Sequence, residues 1–186
     1  MNDPVRIAPL DPAQFSAEQK DVVGPWSVLN FTRVLAHHPH LYRVFIPLIE
    51  KLIRYTELSP QDREVLVIRT LALCKESYEA AHHVDIARQC GMSETQIAAI
   101  AAGETAGLSE REILLMQAAD ELVKGQRIGD ATWAALSQQY STVQLIEVVG
   151  LVGGYVTMAM ITRSFGIQNE AADETAEKLA ELREYR

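Results

Sequence analysis

Two cysteines in 186 residues are too few for a disulfide scaffold or a four-cysteine zinc site. Aromatic residues are scarce, at 6%. Basic residues are outnumbered, 17 Lys and Arg against 25 Asp and Glu. The resulting net charge of −8 repels phosphate backbones, so no nucleic-acid partner is expected. Met1-Asn-Asp-Pro-Val-Arg6 is not a basic region leading into an apolar run, and no targeting signal is read there. The longest apolar stretch, Val148 to Ile161, is bounded by Glu147 and Arg163. It falls short of the roughly eighteen apolar residues of a membrane span and reads as a buried helix. The expectation is a soluble cytoplasmic protein with reduced thiols and no membrane partner.

What the chain does have is helical punctuation. Ser59-Pro60-Gln61-Asp62 offers an N-cap, a proline at the first helical position and an acid in the first turn. Ser93–Gln96, Ser109–Glu112 and Ser141–Gln144 read as capping boxes, and Asp130 as a further cap after Gly129. Gly91 and Gly103 fall where helices should end. No window alternates long enough to argue a sheet. The reading is an all-α bundle of about eight helices, near 13–24, 40–55, 60–74, 77–90, 94–102, 109–125, 130–140 and 142–165. Pro47 is placed to kink or split the second of these. Residues 1–12 form an arm, 13–168 a single domain, and 169–186 a charged helix or tail. The glycines in Val148-Val-Gly-Leu-Val-Gly-Gly-Tyr155 suit close backbone approach, at an internal helix crossing or a subunit interface.

Chemistry concentrates in Glu64–Gly91. Glu76, Glu79, His82 and His83 crowd together there. With about 100° per helical residue, Glu79 and His83 share a face and His82 points away from it. Ser77 is a candidate N-cap, which would leave Glu76 in the preceding turn and Glu79 in the first turn, where the helix dipole favours a carboxylate. A carboxylate one turn before a histidine can orient the imidazole for proton exchange near neutral pH. The preceding helix is apolar nearly all round from Val65 to Leu73, so the cluster beside it is expected to be partly desolvated. Glu79-x-x-His82 also has the form of a di-iron ligand pair, but no second pair exists. His37-His38-Pro39-His40 lacks a carboxylate nearby and reads as a polar turn. No metal site is expected. Trp26, Phe31 and Tyr42 read as core or as the lining of a pocket near the site, and Trp133 and Tyr155 as packing residues.

This segment resembles the core motif of the carboxymuconolactone decarboxylase and alkylhydroperoxidase-D-like superfamily. Peroxidase members carry a glutamate, a Cys-x-x-Cys twelve residues on, and a histidine four residues after the second cysteine. Glu64 matches the glutamate, Glu76 and Glu79 stand in the cysteine positions, and His83 matches the histidine. Tyr78-Glu79-Ala-Ala-His82-His83 is similar to the Tyr-Glu-x-x-x-His of the decarboxylase-like branch. Ile86 to Ser93 resembles the continuation. The likeness is strong over 60–103 and looser over 30–165. It implies an alkylhydroperoxidase-D-like bundle assembled as a homo-oligomer, a trimer or hexamer.

For function the resemblance implies cofactor-free acid/base chemistry, a decarboxylation or proton transfer on a small organic acid or lactone. His83 would be the general acid/base, Glu79 its orienting partner and Glu64 a relay. Glu76 would shape the entrance or stay protonated, and Tyr78 and His82 would contact substrate. A peroxidase-like oxidoreductase is disfavoured, because glutamates replace the redox cysteines and Cys74 and Cys90 do not form a Cys-x-x-Cys. These two cysteines read as small buried hydrophobes. A non-catalytic oligomeric small-molecule binder is the remaining alternative.

Overall fold

A computed structural model describes residues 3–170. The expected charged helix or tail lies outside the described residues from position 171 onward. The described chain is all-α, with no strand among its residues. Its helices are α1 (Ala17–Val23), α2 (Asn30–Leu35), α3 (Pro39–Arg54), α4 (Pro60–Leu73), α5 (Tyr78–Gln89), α6 (Glu94–Ala102), α7 (Glu110–Gly125), α8 (Asp130–Leu136) and α9 (Thr142–Phe165). Short 3-10 helices at Pro12–Gln14 and Gly24–Val28 flank α1. The chain packs as two compact units, one from the residues before Lys51 and after Met160, the other from Lys51–Met160.

The capping chemistry sets most helix starts. Ser59 accepts the Asp62 N–H, and the Ser93, Ser109 and Ser141 boxes are all reciprocal. Ser16 and Gln19 form a further box ahead of α1. Asp130 is not a cap. Gly129 holds that position, its N–H donates to Glu121 of α7 at 2.7 Å, and Asp130 pairs with Arg127. The ninth helix, α2, starts at Leu29 with no side-chain cap, which explains why the sequence gives no sign of it. Pro47 sits inside α3 without splitting it.

In the unit formed by Lys51–Met160, α4 packs on α5, α6 and α7. Val65, Leu66, Val67 and Leu71 are essentially solvent-free, as an all-round apolar helix requires. Arg69 is one of the buried polar residues on that helix. Its guanidinium donates to the Ala101 carbonyl at the C-terminal end of α6 and to both carboxylate oxygens of Asp120 on α7. Thus one cation ties three helices together and satisfies a helix-end carbonyl. By length and composition α9 could cross a membrane. Here its Val148, Leu151, Val152, Tyr155 and Met158 are buried core residues. Gly150 faces Leu52, with 3.3 Å from a would-be Cβ to that side chain, which is an internal close approach, whereas Gly153 faces open space.

In the other unit the arm is strapped down. The Arg6 and Ile7 N–H groups both donate to the Phe165 carbonyl, at 2.8 and 3.2 Å. Arg33 of α2 donates to the Leu10 carbonyl at 2.6 Å. Gly166 turns the chain at φ +68, and a Cβ there would land inside the Pro4 carbonyl.

Candidate functional site

α4 and α5 form a hairpin around a tight turn. Lys75 adopts φ +54, and the Glu76 N–H returns to the Leu71 carbonyl at 2.9 Å. Ser77 is the N-cap residue of α5, yet its side chain makes no capping bond. Glu76 does that work. Its carboxylate accepts the N–H groups of Tyr78 and Glu79 at 2.9 Å and of Ala80 at 3.2 Å. These are the orphan donors at the positive end of the helix dipole. Glu76 is therefore a cap that sets the start of α5.

The first turn of α5 buries Tyr78 and Glu79, and one turn later His83 is only 3% exposed. His82, half-buried, packs edge-on against Tyr78 at 5.1 Å between ring centroids. Side chains four apart on a helix meet in this way. It follows that Tyr78 and His82 pair with each other on α5, while His83 faces other helices.

Both ring nitrogens of His83 are engaged from those helices. Nδ1 lies 2.7 Å from Oε2 of Glu64 on α4, and Nε2 lies 2.6 Å from the hydroxyl oxygen of Tyr155 on α9. The spacing on α5 and the family resemblance predict Glu79 as the orienting partner and Glu64 as a relay. The reason for the difference is directional. Side chains one turn apart on a helix run side by side, whereas α4 presents its carboxylate end-on to the imidazole. The second oxygen of Glu64 accepts Arg63 Nε–H at 2.8 Å, and Arg63 Nη1 donates to the Ile53 carbonyl at 2.7 Å. Burial pushes the Glu64 carboxyl up, but His83 and Arg63 outweigh it and hold the group below its ordinary value. Burial pushes the Tyr155 phenol well up, and the Glu79 and Glu64 carboxylates add to that effect.

Arg63, Glu64, His83 and Tyr155 thus form a continuous chain of hydrogen bonds inside the Lys51–Met160 unit, half-buried at Arg63 and buried from Glu64 to Tyr155. Arg63 and Tyr155 escape the sequence reading. The available signal for Tyr155 was a tyrosine within an apolar helix, since a buried hydroxyl almost always finds a partner. A groove of about 620 Å³ lies on the same unit, lined by Trp133, Tyr140, Leu145, Ile146, Val149 and Gly150 among others. A second hollow of about 410 Å³ adjoins it, around Leu122, Ile128 and Trp133. Neither is lined by Glu64, Glu79 or His83.

Among the described residues, no three His, Cys, Asp or Glu side chains converge to hold a metal ion. His37 Nε2 lies 3.0 Å from the Ala8 carbonyl, and His38 Nδ1 accepts the Leu41 N–H at 3.2 Å. Cys74 and Cys90, not joined in a disulfide and half-buried rather than buried as expected, stand at the C-caps of α4 and α5. Gln61, in the first turn of α4, donates to the Cys90 carbonyl at 3.1 Å. The two cysteines therefore stand at opposite ends of α4, about 20 Å apart at 1.5 Å per residue.

Residues 39–121 match the carboxymuconolactone decarboxylase family. No curated protein matches the chain significantly in sequence. Several solved structures share its fold. An alkylhydroperoxidase AhpD core, an uncharacterized peroxidase-related protein from Ralstonia eutropha JMP134, aligns with TM-score 0.77 at 16% identity, over 92% of this chain and 97% of that one. An uncharacterized peroxidase-related protein from Silicibacter sp. TM1040 aligns with TM-score 0.78 at 16% identity, over 95% and 98%. The debrominase Bmp8, a cysteine-to-alanine variant in complex with 2,3,4-tribromopyrrole, aligns with TM-score 0.68 at 14% identity, over 98% and 100%. The fold is that of the alkylhydroperoxidase-D-like proteins, and the resemblance drawn from Glu64 to Ser93 is borne out.

Proposed function

From the match of residues 39–121 to the carboxymuconolactone decarboxylase family, we propose a soluble, cytoplasmic enzyme of cofactor-free acid/base chemistry. Its substrate would be a small organic acid or lactone. The family match supports a family-level enzyme role. The observation that carries the chemical reading is the buried pair of His83 Nδ1 and Glu64 Oε2 at 2.7 Å. An imidazole backed by an ionised carboxylate can store and return a proton. When a carboxylate leaves a lactone acid as carbon dioxide, the electrons of the broken C–C bond pass into an extended enolate. One proton must then be delivered to carbon. In this reading His83 takes up the proton that the substrate's acid group loses on ionising and returns it to carbon, Glu64 orients and charge-balances the ring while it holds that proton, and Glu79 one turn away adds negative charge beside Tyr155.

The test is decarboxylation of a carboxymuconolactone, followed as carbon dioxide release. His83→Ala should lower kcat on the order of 10²–10⁴-fold, the usual contribution of a general acid/base. Circular dichroism should show the helices intact. Full activity in the folded variant, or no turnover by the natural chain, overturns the proposal.

A second reading, a non-catalytic small-molecule binder, is favoured by two observations. His83 is closed off with both nitrogens engaged, and the larger groove lies elsewhere, over α8 and α9. A ligand that raises Tm without being turned over would support it. The homo-oligomer implied by the sequence resemblance is compatible with both readings and is tested by light scattering.

A further inference from the structure

Tyr155 reaches the imidazole of His83 from the side opposite Glu64. Its hydroxyl oxygen is 2.6 Å from Nε2, and the two rings stand edge-on at 89° with centroids 4.9 Å apart. Tyr155 is 1% exposed and His83 3%, so no solvent competes for either group. A hydrogen bond of this kind has two possible directions. The phenol can donate to a lone pair on Nε2, or an Nε2–H can donate to the phenol.

The far end of the chain fixes the hydrogen on the other nitrogen. Glu64 Oε1 accepts from Arg63, which is itself anchored on the Ile53 carbonyl. Flanked by a guanidinium, Glu64 is ionised and can only accept. The nitrogen facing it at 2.7 Å must therefore carry a hydrogen. A neutral imidazole with its hydrogen on Nδ1 leaves a lone pair on Nε2, and a phenol that keeps its proton fills it. The phenol itself keeps its proton. Glu64 from α4 and Glu79 from α5 both resist formation of a tyrosinate, and burial resists it further.

We infer that Tyr155 is a positioning residue: its hydroxyl donates to Nε2 of His83 and holds the ring as the neutral Nδ1–H tautomer, with its plane fixed between α4 and α9. The connectivity, carboxylate to Nδ1 and hydroxyl to Nε2, is the one by which a carboxylate–histidine–hydroxyl triad sets its tautomer. The kinetic consequence rests on the acid/base reading of His83; the tautomer does not.

The experiment is ¹⁵N spectroscopy of the histidine rings in the full chain, paired with steady-state kinetics. In the natural sequence Nδ1 of His83 should resonate as a protonated, pyrrole-type nitrogen and Nε2 as a pyridine-type acceptor. In Tyr155→Phe, Nε2 should move toward the position of an unbonded pyridine-type nitrogen while Nδ1 stays. A pyrrole-type Nε2 in the natural sequence overturns the inference, as does an unmoved Nε2 in a folded Tyr155→Phe. Should that variant fail to fold, the natural sequence alone still decides the tautomer. With the lactone substrate, Tyr155→Phe should lower kcat about tenfold at unchanged KM; an unchanged kcat removes the positioning role. Absence of turnover in the natural chain would sink the proposed function while leaving the nitrogen pattern to judge the tautomer.

Discussion

The guanidinium of Arg69 fills the space that a Cβ on Gly103 would need: such an atom would lie 2.6–2.8 Å from its Nη2, Nη1 and Cζ. Gly103 also has φ +79, a conformation that L side chains resist. Gly103→Ala should therefore cost about 2–4 kcal/mol in urea unfolding, the backbone strain adding to displacement of the partly buried Arg69–Asp120 pair. Gly107 shares φ +79 but has nothing within 4 Å of its Cβ position. Gly107→Ala should cost only the backbone component, about 1 kcal/mol. Equal losses at the two positions would remove Arg69 from the explanation.

Glu64→Gln keeps the shape of a fully buried side chain and removes its charge. In the folded protein the carboxyl is held below its ordinary 4.5, so near and below that value the unfolded chain binds more protons. The stabilisation it supplies is complete above the ordinary value and fades as pH falls through the depressed one. At neutral pH the variant should lose about 3–5 kcal/mol, the cost of breaking a buried ion pair. Urea titrations should show that gap narrowing on acidification; a gap constant down to about pH 3 would contradict the pairing.

Cys74 and Cys90 should not form an intramolecular disulfide under mild oxidation of the folded chain. A disulfide needs Cα atoms within about 7 Å, and α4 separates these two. Mass spectrometry without reductant should find two free thiols. For the same reason, dithiol-dependent peroxide consumption, if measured, should be unaffected by replacing either cysteine with serine.

Gly166→Ala should release the N-terminal arm. The new methyl cannot coexist with the Pro4 carbonyl, and the bonds from Arg6 and Ile7 to Phe165 depend on that contact. Limited proteolysis should then cut within residues 3–10 faster than in the natural sequence, while the helices stay protected.

The fold was largely legible because its signals are local. Ser59, Ser93, Ser109 and Ser141 each mark a helix start through bonds spanning three residues, and the apolar run from Val65 to Leu71 announces a core helix. Where the signal is tertiary, the reading failed. The N-cap residue of α8, Gly129, is held through its own N–H by Glu121 eight residues earlier, and α2 has no side-chain cap to read. The candidate site divides in the same way. Glu64 and His83 were singled out by motif spacing, but the bond between them joins two helices and no helical-wheel argument on α5 could assign it. Tyr155 lies 72 positions from His83, beyond the reach of any spacing rule.

Glu64, His83 and Tyr155 stand on three separate helices, which has a practical consequence for anyone wishing to transplant this chemistry. A synthetic hairpin of residues 60–90 would carry the acid and the imidazole without the phenol, and without the wall that keeps water off the ring. Grafting the motif onto a foreign scaffold means grafting a three-helix crossing, and shortening the protein around α9 would leave the reactive ring present but untethered.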